Sequence, residues 1–524
     1  MSGFEDIGRR IARQAREAPT RPALRLDERL LSYAELDRQM DAVAAALQRD
    51  GLASGEAIAI CAATSIESVL VFLGALRAGI VVAPLAPGAT PHSLQRMLAD
   101  ADARRLFTDA SVDLGPGGPP RIALDGSAAG IAWREWLGEA TVPPRPVEII
   151  PDAPFNIIYS SGTTGEPKGI VQSHGMRNAY AERAQRFGYG PDTVTLVSTP
   201  LYSNTTLVVF FPTLHYGGSV VLMRRFDTGA WLHLAARHRV THAMLVPVQY
   251  ERLLADPDFD RTDLSHQRFK FSTSAPLAAA TKAEVLRRWP GALVEFYGTT
   301  EGGGSCILEA QRHPDKLHTV GRPAPGHDIR LVDEAGHEVA PGVVGEVVGR
   351  SPSMMLGYHR QPEATRAVEW FDAAGRRFLR SGDVGRFDAD GFLTLVDRRK
   401  DVLISGGFNV YPKEVELLLD EVPGVLESAV IGVPHPDFGE GVVAVVTASG
   451  PLLPEDEMIA ELAKSLAKFK VPKRIYMIPE LPRNAMGSTA SPPPPSAPAS
   501  AWNASFTWEK WTWSAKPSTS PACA

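Results

Sequence analysis

The chain has 524 residues, a formal net charge of −6, 44% hydrophobic residues and 22% charged residues. At ~150 residues per domain this length predicts two to four domains with room for large cores, and the ordinary apolar-to-charged balance excludes a collagenous, coiled-coil or wholly disordered chain. Mild acidity without a Lys/Arg-rich run argues against a nucleic-acid partner, and the three widely spaced cysteines, Cys61, Cys306 and Cys523, supply neither a disulfide framework nor a zinc module and fit a reducing cytoplasm.

In chain order, Phe4, Ile7 and Ile11 have helical spacing in a segment charged with both signs, which predicts a docked amphipathic helix rather than a signal peptide. The most apolar stretch, Val69–Leu85, is split by Arg77 and closed by Pro84. A membrane span needs ~20 uninterrupted apolar residues, so a buried helix followed by a buried strand is expected here, and no transmembrane segment. Further strands are expected at Ala57–Cys61, Ile80–Ala83, Phe155–Tyr159, Ser219–Met223, His242–Val246 and Leu293–Phe296, and helices at Tyr33–Gln48, Ser65–Arg77, Met176–Phe187 and Ala278–Arg288. This alternation predicts an α/β fold with stacked, largely parallel sheets.

From about Gly321 the texture becomes β-rich, with Asp328–Asp333 and Val343–Gly349 as strands between Gly-rich turns. We therefore expect a large domain over 1–399, its β-rich part over about 321–399. A small α+β domain is expected over 400–487. There Val402–Ile404, Ser428–Gly432 and Val442–Thr447 read as strands, and Pro412 opens a helix through Leu419, a position where its missing N–H costs nothing. Residues 488–524 contain Pro492–Pro495, many small residues and four tryptophans without periodicity, and read as a low-complexity, disordered tail.

The strongest chemical signal is the run from Tyr159 to Gly169, Tyr-Ser-Ser-Gly-Thr-Thr-Gly-Glu-Pro-Lys-Gly. An apolar strand ends in glycines that let the backbone aim N–H groups at an anion, with hydroxyls adding donors and Lys168 a point charge. The spacing does not match the Gly-x-x-x-x-Gly-Lys-Ser/Thr phosphate loop. It closely resembles the signature of the adenylate-forming (AMP-binding) superfamily, which holds acyl- and aryl-CoA synthetases, peptide-synthetase adenylation domains and firefly-type luciferases.

Other segments extend the resemblance in family order over about residues 20–487. Leu31–Leu36 is similar to the family's opening helix and Pro84–Pro87 to an early turn. Ser274, Ala275 and Pro276 resemble the segment lining adenine. In Tyr297-Gly298-Thr299-Thr300-Glu301 the resemblance implies an aromatic stacked on adenine, a threonine on the AMP phosphate and a glutamate holding Mg²⁺. It likewise implies a phosphate cradle from Ser160, Ser161, Gly162, Thr163, Thr164 and Gly165, and catalytic roles for Lys168, Thr300 and Glu301. Asp383 and Arg398 would contact the ribose, Lys400 would be the hinge of a mobile small domain, and Gly406, Gly407, Phe469 and Lys470 would meet coenzyme A. The chemistry is consistent: a ribose diol wants a bidentate acceptor, and a hard Mg²⁺ wants carboxylate plus phosphate oxygens.

Two departures stand out. After Leu481–Gly487 the family has a lysine that stabilises the adenylation transition state, but here the residue is Ser488. At Ser203 many relatives carry histidine or an aromatic gating the acyl pocket, which is expected around Tyr202, Ser203, Val246 and Gly303. The implied function is a cytoplasmic ligase using ATP, Mg²⁺ and coenzyme A to activate an aromatic or medium-chain monocarboxylic acid, possible as a homodimer, with adenylation impaired by Ser488. The alternatives are a stand-alone enzyme charging a carrier protein and a non-catalytic nucleotide-binding relic. His174 and His215 are expected to be structural.

Overall fold

The computed structural model describes residues 4–115, 117–138, 142–160, 168–398, 403–405, 408–435, 439–448 and 450–481. The chain divides into two compact units: Met1–Ser381 with Gly385–Leu395, and Gly382–Val384 with Val396–Ala524.

The larger unit contains two mixed sheets of the expected α/β kind. In the nine-stranded sheet, Pro22–Leu26, Ser219–Leu222, Val194–Val197, His242–Leu245, Phe269–Ser272 and Ala292–Gly298 run parallel in that spatial order. Antiparallel strands Arg29–Ser32 at one edge and Ser305–Glu309 and Arg322–Pro323 at the other complete it. The eight-stranded sheet has Ala57–Cys61 at its centre between Val81–Pro84 and Ala103–Thr108, and the antiparallel hairpin of Pro154–Ser160 and Lys168–Ser173 near one edge. A third, five-stranded sheet includes Asp328–Val332, Gly345–Arg350 and Arg377–Phe387, the expected β-rich part.

Helices Ile66–Arg77 and Asn204–His215 are buried along nearly their whole length, because their side chains fill one core with residues of both large sheets: Phe72, Phe155, Phe211 and Val220 belong to it. Apolar residues all round a helix mark such sandwiching between layers. Ser65 and Ser32 start their helices as capping boxes that satisfy otherwise orphaned N–H groups. The other face of the nine-stranded sheet is covered by Thr228–Arg237, Pro247–Ala255 and Ala279–Arg288 around Trp231, Tyr250 and Trp289. The helix expected at Met176–Phe187 instead starts at His174, capped by Ser173, and tightens to a 3₁₀ turn at Gln185–Phe187. Leu31 and Ser32 belong to a strand, and the following helix begins only at Tyr33.

The smaller unit is an α+β body. Its sheet orders Phe408–Val410, Leu403–Ser405, Gly439–Ala448 and Val425–His435, with Arg474–Met477 parallel to Gly439–Ala448. Helices Pro412–Leu419 and Glu455–Leu462 cover it through Val415, Leu419, Met458 and Leu462. Among the described residues no helix is long and apolar enough to cross a membrane.

Candidate active site

Four adjacent parallel strands of the nine-stranded sheet end on the same side, and each is followed by a segment singled out in the sequence. Val194–Val197 leads to Tyr202 and Ser203, His242–Leu245 to Val246, Phe269–Ser272 to Ser274–Pro276, and Ala292–Gly298 to Thr299–Gly303. The carboxyl ends of parallel strands are where open α/β sheets place ligands, because the loops there diverge and leave a crevice.

Lys168 opens a strand whose register pairs it with Ser160 across the hairpin. Ser161, Gly162, Thr163, Thr164 and Gly165 lie outside the described residues. The two-residue strand Gly357–Tyr358 pairs antiparallel with Ile170 and Val171, and the His359 N–H donates to the Gly169 carbonyl at 2.6 Å. This pairing carries Tyr358 to a place no sequence signal assigned. Its ring lies under the Lys168 ammonium, 5.3 Å from Nζ to centroid, and its phenol donates to Glu301 Oε1 at 2.8 Å. Burial and the neighbouring Glu301 carboxylate push the phenol well above its ordinary pKa, so it stays a donor. On the same strand as Lys168, Gln172 Nε2 donates to the Thr300 carbonyl at 2.8 Å. Lys168, Thr300 and Glu301 are thus held together by two side chains, Tyr358 and Gln172.

Glu301 is further fixed by its backbone, whose carbonyl accepts from Met355 N–H at 2.8 Å. The next residue, Gly302, has φ +74°, and a Cβ there would overlap the Ser353 carbonyl oxygen. Only glycine lets the two backbones approach this closely.

Tyr297 flanks a shallow groove lined also by Thr299, Gly303, Val347 and Ser381. Its phenol reaches Ser381 Oγ at 3.4 Å, and that hydroxyl donates to the Val347 carbonyl. Gly298 pairs with Ser305 across the strand. Ser274 adopts φ +78°, a conformation costly for any residue with a Cβ, and its Oγ is hydrogen-bonded to Thr205 Oγ1 at 2.5 Å. Ala275 and Pro276 continue that turn.

Ser203 caps the helix Asn204–His215, its hydroxyl accepting from Thr205 N–H. Val246 is buried at the start of Pro247–Ala255, where Gln249 Oε1 accepts its N–H. Burial raises the pKa of the half-buried Tyr202 phenol. His174 packs edge-on against Phe155, and burial pushes its imidazole down to about 4; burial beside Arg10 and Arg13 pushes His215 down to about 3. Both belong to the packed interior, as expected.

In the smaller unit, Asp383 is buried on Arg377–Phe387. Lys470 is already ion-paired: its Nζ donates to both carboxylate oxygens of Glu414 at 2.6 and 2.8 Å, 5.9 Å from the Phe469 ring centroid. Phe469 packs on that unit's core. The Arg398 side chain, Lys400, Gly406, Gly407, Ser488 and the tail lie outside the described residues.

Comparison with known proteins places the chain in a family. The AMP-binding enzyme family matches residues 11–359, and the AMP-binding enzyme C-terminal domain matches residues 414–488. Feruloyl-CoA synthase of an Amycolatopsis species is 35% identical, over 92% of this chain and 97% of its own. Indoleacetate–CoA ligase of Aromatoleum aromaticum is 33% identical, over 91% and 95%. The crystal structure of ATP-bound MatB from Rhodopseudomonas palustris superimposes with a TM-score of 0.82 at 33% identity, covering 93% of this chain and 97% of that one. The chain therefore belongs to the AMP-binding family of adenylate-forming enzymes and is an acid–thiol ligase of the acyl- and aryl-CoA synthetase type.

Proposed function

We propose that the chain joins an aromatic or medium-chain monocarboxylic acid to coenzyme A through an acyl-adenylate. One observation carries this reading: Tyr358 links Lys168 to Glu301 while Gln172 holds Thr300, which gathers a cation, a carboxylate and a hydroxyl residue where a triphosphate would lie.

In this reading the 160–165 stretch and Lys168 hold the triphosphate, and Tyr297 and Ser274–Pro276 receive the adenine. Asp383 and Arg398 take the ribose. The donor set suits Mg²⁺, which keeps one or two carboxylates plus substrate phosphate oxygens. Glu301 offers the carboxylate, and among the described residues no group of three or more His, Cys, Asp and Glu would hold a metal without substrate. The ion would supply neutralisation of the phosphate charge. The acid's carboxylate attacks the α-phosphorus and pyrophosphate leaves. The thiol of coenzyme A, guided by Gly406, Gly407, Phe469 and Lys470 after the 400–487 domain turns about Lys400, then attacks the acyl carbon and AMP leaves. Positioning and charge stabilisation suffice, and no enzyme nucleophile is required. For coenzyme A to use Lys470, its phosphate must displace or share the Glu414 contact.

The pocket segments carry no obvious arginine for a second carboxylate and no aspartate for an amino group, which favours a monocarboxylic acid, and the feruloyl and indoleacetate relatives favour an aryl one. We place the enzyme in the cytoplasm and allow for a homodimer. Ser488, where the family lysine is expected, supports a second reading: a nucleotide-binding relic slow in adenylation. ATP–pyrophosphate exchange over a panel of aryl and aliphatic acids, followed by trapping with coenzyme A, tests the proposal. Exchange with an aryl acid and release of its thioester is expected. ATP binding without exchange would select the relic, and exchange without thioester would point to a carrier-protein thiol.

A further inference from the structure

Arg177, on helix His174–Ala184, is among the most enclosed charges of the larger unit, 4% exposed. Among the described residues no carboxylate pairs with it. Its Nε and Nη2 donate to Asn156 Oδ1 at 3.1 and 3.0 Å, Nη2 also donates to Gln172 Oε1, and Nη1 donates to Asn204 Oδ1 at 2.9 Å. The guanidinium sits 5.7 and 6.0 Å from the ring centroids of Phe155 and Phe211. Burial pushes it down to about 10, so it remains charged at neutral pH. A buried charge with only neutral amide partners is costly, and folds normally pair it or replace it with an apolar side chain.

The partners of this cation point in two directions. Gln172 passes the contact on to the Thr300 carbonyl, whereas Asn204 is the first residue of the helix that follows Tyr202 and Ser203. Asn156 lies on the strand leading into the phosphate loop and is itself hydrogen-bonded to Gln172. Building on the nucleotide site proposed above, we propose that Arg177 is a positioning residue for adenylation. Its fork ties the mouth of the acyl pocket to the Thr300 segment, and the anionic reactants balance its charge. The carboxylate and the α-phosphate need a common frame to meet in line, and a rigid planar fork satisfies three amides at once where an ammonium cannot.

The decisive experiment is calorimetric binding to the full chain without acid, so that turnover is not needed. ATP with Mg²⁺ and uncharged adenosine are the two probes. Arg177→Met should weaken ATP about tenfold, the size expected of one unit charge acting over roughly 10 Å at an effective dielectric of about 20, while adenosine binds as before. Arg177→Lys should recover part of the ATP affinity. Asn204→Ala should weaken an aryl-sulfamoyl adenosine, a stable mimic of the acyl-adenylate, more than it weakens ATP. Should Arg177→Met not fold, the lysine and Asn204 variants decide. Equal losses for ATP and adenosine, or wild-type ATP affinity in Arg177→Met, would overturn the inference and leave the nucleotide site standing. A wild-type chain that binds neither probe would overturn both.

Discussion

The two ends of the crevice are built from different materials. At the end proposed to hold the phosphates, Lys168, Glu301 and Tyr358 form a chain of charge-assisted and aromatic contacts, braced by backbone pairing between Gly357–Tyr358 and the strand of Lys168. At the proposed acyl end the residues expected to line the pocket are neutral: Ser203 caps a helix and Val246 is buried. Phosphoryl chemistry has fixed charges to stabilise, and ionic, tightly held residues suit that proposed role. Recognition of one acid among many depends on shape and a few hydrogen bonds, which neutral residues can vary without disturbing the reaction.

The sharpest way to test this contrast is to remove a charge at the phosphate end. Lys168→Ala and Glu301→Gln should each lower pyrophosphate exchange by ~10²–10³, with adenosine affinity unchanged. Conversely, Ser488→Lys should raise exchange by a comparable ~10²–10³ and leave thioester formation from supplied acyl-AMP nearly constant. Normal exchange by the unmodified chain would mean that adenylation does not depend on this position. Asp383→Ala should cost roughly 2–3 kcal/mol of affinity for ATP and for an acyl-AMP mimic alike, since both carry the ribose; titration of the two ligands checks it.

A change at the acyl end should behave differently. Ser203→His narrows the pocket, so the KM of a bulky aryl acid should rise about tenfold while the KM of ATP holds. Loss of the helix cap should add a stability cost of about 1 kcal/mol, read as a lower Tm. If the KM of ATP moves as much as that of the acid, the two ends are not separable.

A separate effect concerns the scaffold they share. Burial holds His174 and His242 at about 4 in the larger unit, below their ordinary 6.5. The unfolded chain therefore takes up protons first as pH falls below 6.5, and stability drops by about 1 kcal/mol per histidine per pH unit until about pH 4, where the folded form protonates too. Thermal unfolding at pH 7.5 and 5 should show the larger unit losing Tm, with His242→Asn reducing the slope if it folds.

Much of the architecture was legible locally. Ala57–Cys61 and the helix expected at Tyr33–Gln48, observed as Tyr33–Arg49, announce themselves through their apolar patterns, and Pro412–Leu419 through its opening proline. The helix Asn204–His215 did not, because Pro212 sits inside it and its apolar residues face neighbours on all sides, which removes the amphipathic pattern. The strand Lys168–Ser173 was hidden for a similar reason: polar Gln172 is fully buried in it, and its partners lie on other elements.

The sequence alone determined the layered α/β plan through its alternating patterns, and it pointed to the class of chemistry through the resemblance of its motifs to a known family, since those motifs are contiguous stretches such as the Gly-, hydroxyl- and Lys-bearing run before Gly169. Only the tertiary structure decided which side chains meet around the candidate site. Gln172 and Thr300 are 128 residues apart, Tyr358 and Glu301 57, and Arg177 and Asn204 27. Such contacts leave no periodicity or spacing to read. They follow from strand order and register, which bring the carboxyl ends of separate parallel strands to one crevice and pair a two-residue strand with the edge of another sheet.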